Sequence, residues 1–354
     1  MKCYQRINER KRKKSTGHVK RKQEANAEKA EDKKKAEQDH SYMSVNFDME
    51  AVLYSPLLLG KPVFYKRKIA CFNFTVFDTA TKQGYCYKWP EYEGNRGANE
   101  VSTCLNLFLK QVPTHVSHVV LHSDCCPGQN RNSILLYMLM TLQSSNDCTI
   151  DVIDLKFLEP GHTHMECDNM HAAIERASES ARIFIPDDWN NVIILAVKTK
   201  PYKLHLLTHE NFIDFKSMKE SAWPASIKAT DGTGLTWKRV KWLRFRKDCP
   251  GRFYFKLEYS DDFKEVIKPR TRLSRQESTS LVKAYNSQIP LTGAKIKDLL
   301  EMCRSGLIPT TYHSFYNSLP RKPLTRVVPQ SDDEDEDANL MASRSAYRRR
   351  NRRN

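Results

Sequence analysis

The chain has 354 residues, 40% of them hydrophobic, and a formal charge of +16, so it is long enough to bury a sizeable core and strongly basic. No apolar run approaches the ~18 residues of a membrane span, and charge begins at the second residue, which speaks against a transmembrane helix and a signal peptide. Ten cysteines scattered over a chain of this size argue for reduced thiols rather than a disulfide framework.

The charge is concentrated at the ends. Residues 1–40 hold 14 Lys/Arg against 7 Asp/Glu, and residues 343–354 hold 6 Arg and no acid. "RKRKK" (10–14) followed by "KRK" (20–22) reads as a two-part nuclear localisation signal, which points to the nucleus. With few large apolar side chains, residues 1–44 are expected to form a basic arm, either a solvated helix or disordered.

Beyond that arm the elements alternate. "IACFNFTVFD" (69–78) and "GYCYKW" (84–89) have strand character, and "NEVSTCLNLFLKQV" (99–112) has helical spacing. "HVVL" (118–121) is a short buried strand, "RNSILLYMLMTL" (131–142) a buried helix and "TIDVIDLKFL" (149–158) another strand. "PGHTH" (160–164) turns into a helix over 165–180, and "NNVIILAVKT" (190–199) reads as an edge strand that Pro201 stops. This order predicts an α/β fold in which helices flank a mixed sheet, over residues 45–230. Residues 231–328 read as a smaller region of two or three strands (236–268), then two helices (278–306). Residues 329–354, acidic and then arginine-rich, are expected to be disordered.

Chemistry in such a sheet collects beyond the carboxyl ends of the strands, where Asp78 and Asp124 are expected. Two carboxylates that close repel unless a cation neutralises them, and Mg²⁺ or Mn²⁺ is the natural one. A third acid is expected from the 165–180 helix, which offers Asp168, His171 and Glu175. Asp168 lies nearer the helix start and is preferred over Glu175. Glu100 could join from the side. A lone Asp after a strand is more often a turn cap than a ligand, so it is the convergence of several that argues for a site.

In "SDCCPGQNRN" (123–132), Gln129, Asn130 and Asn132 could orient a phosphate or simply cap a helix. His162 and His164 are candidates for phosphate contact or proton transfer. Cys125, Cys126, Cys167, His171 and these two histidines have zinc-binding chemistry, but no paired CxxC knuckles are present. The stretch from Trp237 to Arg246 interleaves basic and aromatic residues. Lys241 and Arg244 are its candidates for nucleic-acid contact, although one buried and one solvated strand face would give the same alternation.

Three motifs, "FYKRKIACFNFTVFD…KQGYCYKW", "SDCCPGQNRN" and "GHTHMECDNMHAAIE", resemble in order and spacing an uncharacterised transposable-element-derived family of insects and cnidarians. The resemblance covers about residues 45–320. It implies a ribonuclease H-like domain with a transposase-type acid triad, carried onto Asp78, Asp124 and Asp168. It implies two-metal-ion phosphodiester cleavage or transfer on DNA. The family's central motif usually reads SDNCxGQNxN, often with Gly as x; here Cys125 replaces the Asn and Pro127 the Gly. The family's cysteine-rich N-terminal region is not seen, which suggests a truncated or degenerate copy or an incomplete gene model. The expected partner is DNA, with a homo-oligomer admitted and a membrane not. The alternative expectation is a catalytically inactive, domesticated DNA-binding protein.

Overall fold

Polar and apolar residues alternate strictly through Tyr42–Met49, and this stretch is the first strand of a ten-stranded mixed sheet. The computed structural model describes residues 2–58, 63, 65–159, 165–223, 226–268 and 281–322, with side chains from Val19 onward. The strands are β1 (Tyr42–Met49), β2 (Leu53–Ser55), β3 (Ile69–Asp78), β4 (Gln83–Pro90), β5 (His118–Ser123) and β6 (Val152–Phe157). They continue with β7 (Lys203–Leu206), β8 (Trp242–Arg246), β9 (Arg252–Lys256) and β10 (Lys264–Ile267). The helices are α1 (Lys2–Gln38), α2 (Ala98–Leu109), α3 (Ser133–Gln143), α4 (Glu166–Ser178), α5 (Asp188–Leu195), α6 (Phe215–Ala222), α7 (Gly293–Arg304) and α8 (His313–Ser318).

The sheet runs β10-β9-β8-β6-β5-β1-β3-β4-β7, and β2 pairs with β3. Strands β1, β3 and β4 form an antiparallel meander, while β5 runs parallel to β1 and β6 parallel to β5. The central order β4-β3-β1-β5-β6, with helices between β4 and β5, between β5 and β6 and after β6, is ribonuclease H-like.

The two sheet faces differ in chemistry. Val45, Phe47, Val119, Leu121, Ile153, Leu155 and Phe245 are all fully buried on one face, where each contributes about 1.5–3 kcal/mol. On that face Phe108 of α2 meets the Tyr85 ring edge-on, 5.2 Å away, and α3 and α6 pack beside α2. The opposite face is polar. Ser44, Asn46, His122, Asp154 and Lys156 are buried there, beneath α1 and α4.

The basic arm expected over residues 1–44 is therefore partly built into the fold. Ala25, Asp32 and Ala36 fall on one stripe of α1 and are each at most 5% exposed. Asp32 lies 2.7 Å from Lys156 Nζ and 3.0 Å from His122 Nε2, and it accepts the Tyr42 hydroxyl at 2.7 Å. Burial raises the Asp32 carboxyl, but the bonds and charges of His122 and Lys156 outweigh it and bring it down to about 2.

Three further expectations are corrected. The run 190–199 is not a strand: Asp188–Leu195 is helical, with Trp189, Val192 and Ile193 buried against Cys71, Cys86 and Ile174. Their i, i+3, i+4 spacing is that of a helix, and the edge strand is β7, beyond Pro201. Of the two helices expected in 278–306, only Gly293–Arg304 is helical among the described residues. Residues 231–320 do not stand apart either. Trp242 of β8 pairs with Lys156 of β6, and Leu299 and Met302 of α7 pack with Ile69 and Tyr92. The expected disorder of 329–354 lies outside the described residues. No helix among the described residues is long and apolar enough to cross a membrane.

Asp32→Ala leaves buried Lys156 with only the part-exposed Glu28 and takes the carboxylate from His122 and Tyr42, so it should destabilise the fold by about 2–4 kcal/mol in urea unfolding at pH 7. A lowered carboxyl stabilises above the unfolded range and loses that contribution as pH falls through its folded value. The gap between parent and variant should therefore shrink as pH drops from about 4 toward 2. A gap below about 1 kcal/mol at pH 7 would mean that α1 does not depend on this contact.

Candidate metal centre

Because β5 runs parallel to β1 with Asn46 opposite His122, two more residues along each strand bring Asp48 and Asp124 to the same sheet edge. The start of α4 delivers Asp168 and His171 to that edge. Asn46 fixes the approach: its Oδ1 accepts the Cys167 amide at 3.1 Å, and its Nδ2 donates to Glu166 at 2.7 Å.

Asp48, Asp168 and His171 each present a ligand atom, and these atoms lie within 4.8 Å of one another. Donors of a single ion at 2.0–2.6 Å can be at most about 5 Å apart, so the set fits one cation. Two carboxylate oxygens and an imidazole suit Mn²⁺, or Mg²⁺ with water completing the shell. Burial, then the Asp124 charge, then Asp168, push the Asp48 carboxyl up to about 7 against the opposing Met49 amide and Arg96. Burial and Arg96 hold His171 down at about 4, so its ring is neutral and able to bind a cation at neutral pH. Thr75 Oγ1 anchors the His171 ring at 2.8 Å.

Asp124 is tied on one side only. Its Oδ1 accepts Asn130 Nδ2 at 2.6 Å and the Cys126 amide at 3.1 Å; its Oδ2 has no hydrogen bond among the described residues. Asn130 Oδ1 is a buried acceptor with no donor among them. Both oxygens are acceptors with capacity left for a water or a ligand. Asp168 Oδ2 caps its own helix by accepting the Met165 amide at 2.8 Å.

The other expected site residues fall out differently. Asp78 does not belong to the cluster. β3 is antiparallel to β1, so Asp78 lies opposite Val45, three residues back from Asp48 and about 10 Å along the strand. Its carboxylate caps the turn, accepting the Ala80 and Thr81 amides at 3.0 and 3.2 Å and the Thr81 hydroxyl at 2.6 Å. Glu175 is exposed two turns beyond Asp168, and Glu100 accepts the Gly97 amide at 2.9 Å and the Tyr285 hydroxyl. Asn132 caps α3, its Oδ1 accepting the Ile134 and Leu135 amides at 3.0 Å. Gln129 is half-buried in the same loop, its carbonyl accepting Asn132 Nδ2 at 3.0 Å.

Lys241 and Arg244 are engaged inside the protein. Lys241 pairs with Glu159, and Arg244 grips Asp154 with two bonds at 2.7 and 2.8 Å. Burial raises the Asp154 carboxyl, but Arg244 and His118 outweigh it and the net shift is downward. His162 and His164 lie outside the described residues. No zinc cluster forms among the described cysteines: Cys125 Sγ donates to the Leu158 carbonyl at 2.8 Å, and Cys167 Sγ is buried against Asn46 O at 3.3 Å.

Asp48 is the residue that sequence reasoning missed. Its signal was the alternation of Ser44, Asn46 and Asp48 with Val45, Phe47 and Met49, which a boundary drawn at residue 45 cut in two. Residues 76–230 match a family described as a domain of unknown function (DUF7869), under half of the chain. That match takes in Asp124, Asp168 and His171 but not Asp48. Comparison with curated proteins and with solved structures gives no match.

A carboxyl raised in the fold stabilises it while protonated, and that contribution is lost as pH rises from about 4 through 7. In chelator, Asp48→Asn should therefore gain on the parent by roughly 1–3 kcal/mol between pH 4 and pH 8, read by urea unfolding. A constant difference across that range would place Asp48 in a less crowded environment than the structure does.

Proposed function

We propose that the chain is a transposase-like, metal-dependent nuclease acting on DNA in the nucleus, with Asp48, Asp124 and Asp168 as its acid triad. The observation that supports it is the convergence of these acids from two parallel central strands and one helix start, with Asp48 pushed up to about 7 by burial and its neighbours. That shift is what a site built to hold a cation displays when none neutralises it. When bound, a divalent ion activates an attacking water or 3′-hydroxyl and stabilises the leaving oxygen. The protein's own part is positional. Asn130 orients Asp124, Thr75 orients His171, and Asn46 sets α4 against β1.

One observation favours a second reading, a domesticated DNA-binding protein without cleavage. Asp124 Oδ1 braces its own loop through Asn130 and Cys126, and that loop carries Cys125 and Pro127 where the resembling family has Asn and Gly. A carboxylate used only as a brace would hold the loop and bind no metal.

Calorimetric titration of the full chain with Mn²⁺ separates these readings. Asp48→Asn and Asp124→Asn should each weaken binding at least ~10-fold, as removal of a ligand does, while Asp78→Asn binds like the parent. Nicking of supercoiled plasmid in Mn²⁺ should fall with the same two variants. Unchanged heats in Asp124→Asn would favour the loop brace, and loss of binding in Asp78→Asn would overturn the revised triad.

A further inference from the structure

A triad of carboxylates repels the phosphates it is meant to cut, so the acid edge needs cations nearby to hold a nucleic acid. The basic residues expected to serve at and just before β8 are committed internally, Lys241 to Glu159 and Arg244 to Asp154. The other concentration of positive charge in the described chain is the first half of α1. Residues 2–22 carry ten Lys/Arg and a single acid.

The path of α1 puts that charge beside the site. Ala36 packs with Tyr42 and Val120, toward the edge where β1 begins, whereas Ala25 packs with Leu158 and Met165 at the edge where β6 ends and α4 starts. The helix therefore comes onto the sheet from the acid edge. At Val19 and Lys20 it is already clear of the body: Val19 is 49% exposed and the Lys20 side chain 79%. Residues 2–20 add about 28 Å of continuous helix outward from that edge, at 1.5 Å per residue.

The root of this projection is fastened to residues next to the acids. Arg21 pairs with Glu159 at 3.6 Å, immediately beyond the end of β6. Lys29 pairs with Glu166, two residues before Asp168, at 2.6 Å, and Glu28 pairs with Lys156 at 2.8 Å. A helix anchored in this way fixes the direction in which its backbone leaves the body beside the triad.

We propose that the basic half of α1 is an arm that lies along the phosphate backbone of the DNA presented to the acid edge. This rests on the reading of the acids as a site for phosphodiester chemistry. The contact is to phosphate rather than to bases, since Lys and Arg in an unbroken run position a duplex without reading it.

The test compares two full-length variants of equal net charge. One replaces Arg10, Lys11, Arg12, Lys13 and Lys14 with Gln, which keeps helix propensity. The other replaces Arg348, Arg349, Arg350, Arg352 and Arg353 with Gln. Binding to a short fluorescent duplex is followed by anisotropy over a range of salt. The arm variant should lose at least ~10-fold in affinity and about 4 units of salt slope, and the tail variant much less, while both titrate Mn²⁺ like the parent. Equal losses in the two variants would mean that net charge alone matters and would overturn the arm. Unchanged binding in the arm variant would do so too, leaving those residues a localisation signal only. In either case the Mn²⁺ titration judges the acid triad separately. A parent that binds no duplex at low salt would sink the arm together with the DNA reading, whatever the heats with Mn²⁺.

Discussion

Asp48 and Asp124 end neighbouring parallel strands at the same level, and the structure around them is arranged to tolerate that juxtaposition. Partly buried like charges at one sheet edge do not both ionise readily, so the Asp48 carboxyl rises and a cation becomes the natural partner. Each acid is steadied from behind by a different device: loop amides for Asp124, a helix-start amide for Asp168, a strand ladder for Asp48. Placing Asp168 in the first turn of α4 adds the favourable end of the helix dipole to a crowded negative site.

The polar sheet face is the second consequence of the same geometry. Strand residues alternate, so those sharing a face with Asp48 and Asp124 are Asn46 and His122, one step further in. They cannot be covered by an apolar helix without stranding polar groups. α1 meets the need with acids and lysines of its own: Asp32 toward His122, Lys156 and Tyr42, and Lys29 toward Glu166. Such buried pairs add little net stability but make the docking position specific, because a shifted helix would leave charges unpaired.

Most of the interior was legible because periodicity survives in buried elements. β3, β4, β5, β6, α2, α3 and α4 all lie where apolar spacing placed them, within a few residues. The failures have separate physical origins. β1 is obscured because polar Ser44 and Asn46 are fully buried in it, and α1 because its docking face is built from charge rather than from leucine or isoleucine. The residues of α5 read as a strand because Val192, Ile193 and Ile194 are β-branched, although tertiary packing on one face suits the helix. In the candidate site, Asp124 and Asp168 were legible from the turn and helix start they occupy. Asp78 was misplaced because a strand's direction in the sheet is not written in its own residues.

The amino-acid sequence by itself determined the class of fold, the positions of its central strands and helices, and the concentration of basic charge at the chain ends. These follow from side-chain periodicity and composition, which are local. Only the tertiary structure decided which acid stands beside Asp124, whether Lys241 and Arg244 face solvent or a buried carboxylate, and where α1 lies. Those depend on strand direction and register, and an antiparallel partner carries its last residue to the opposite edge from a parallel one.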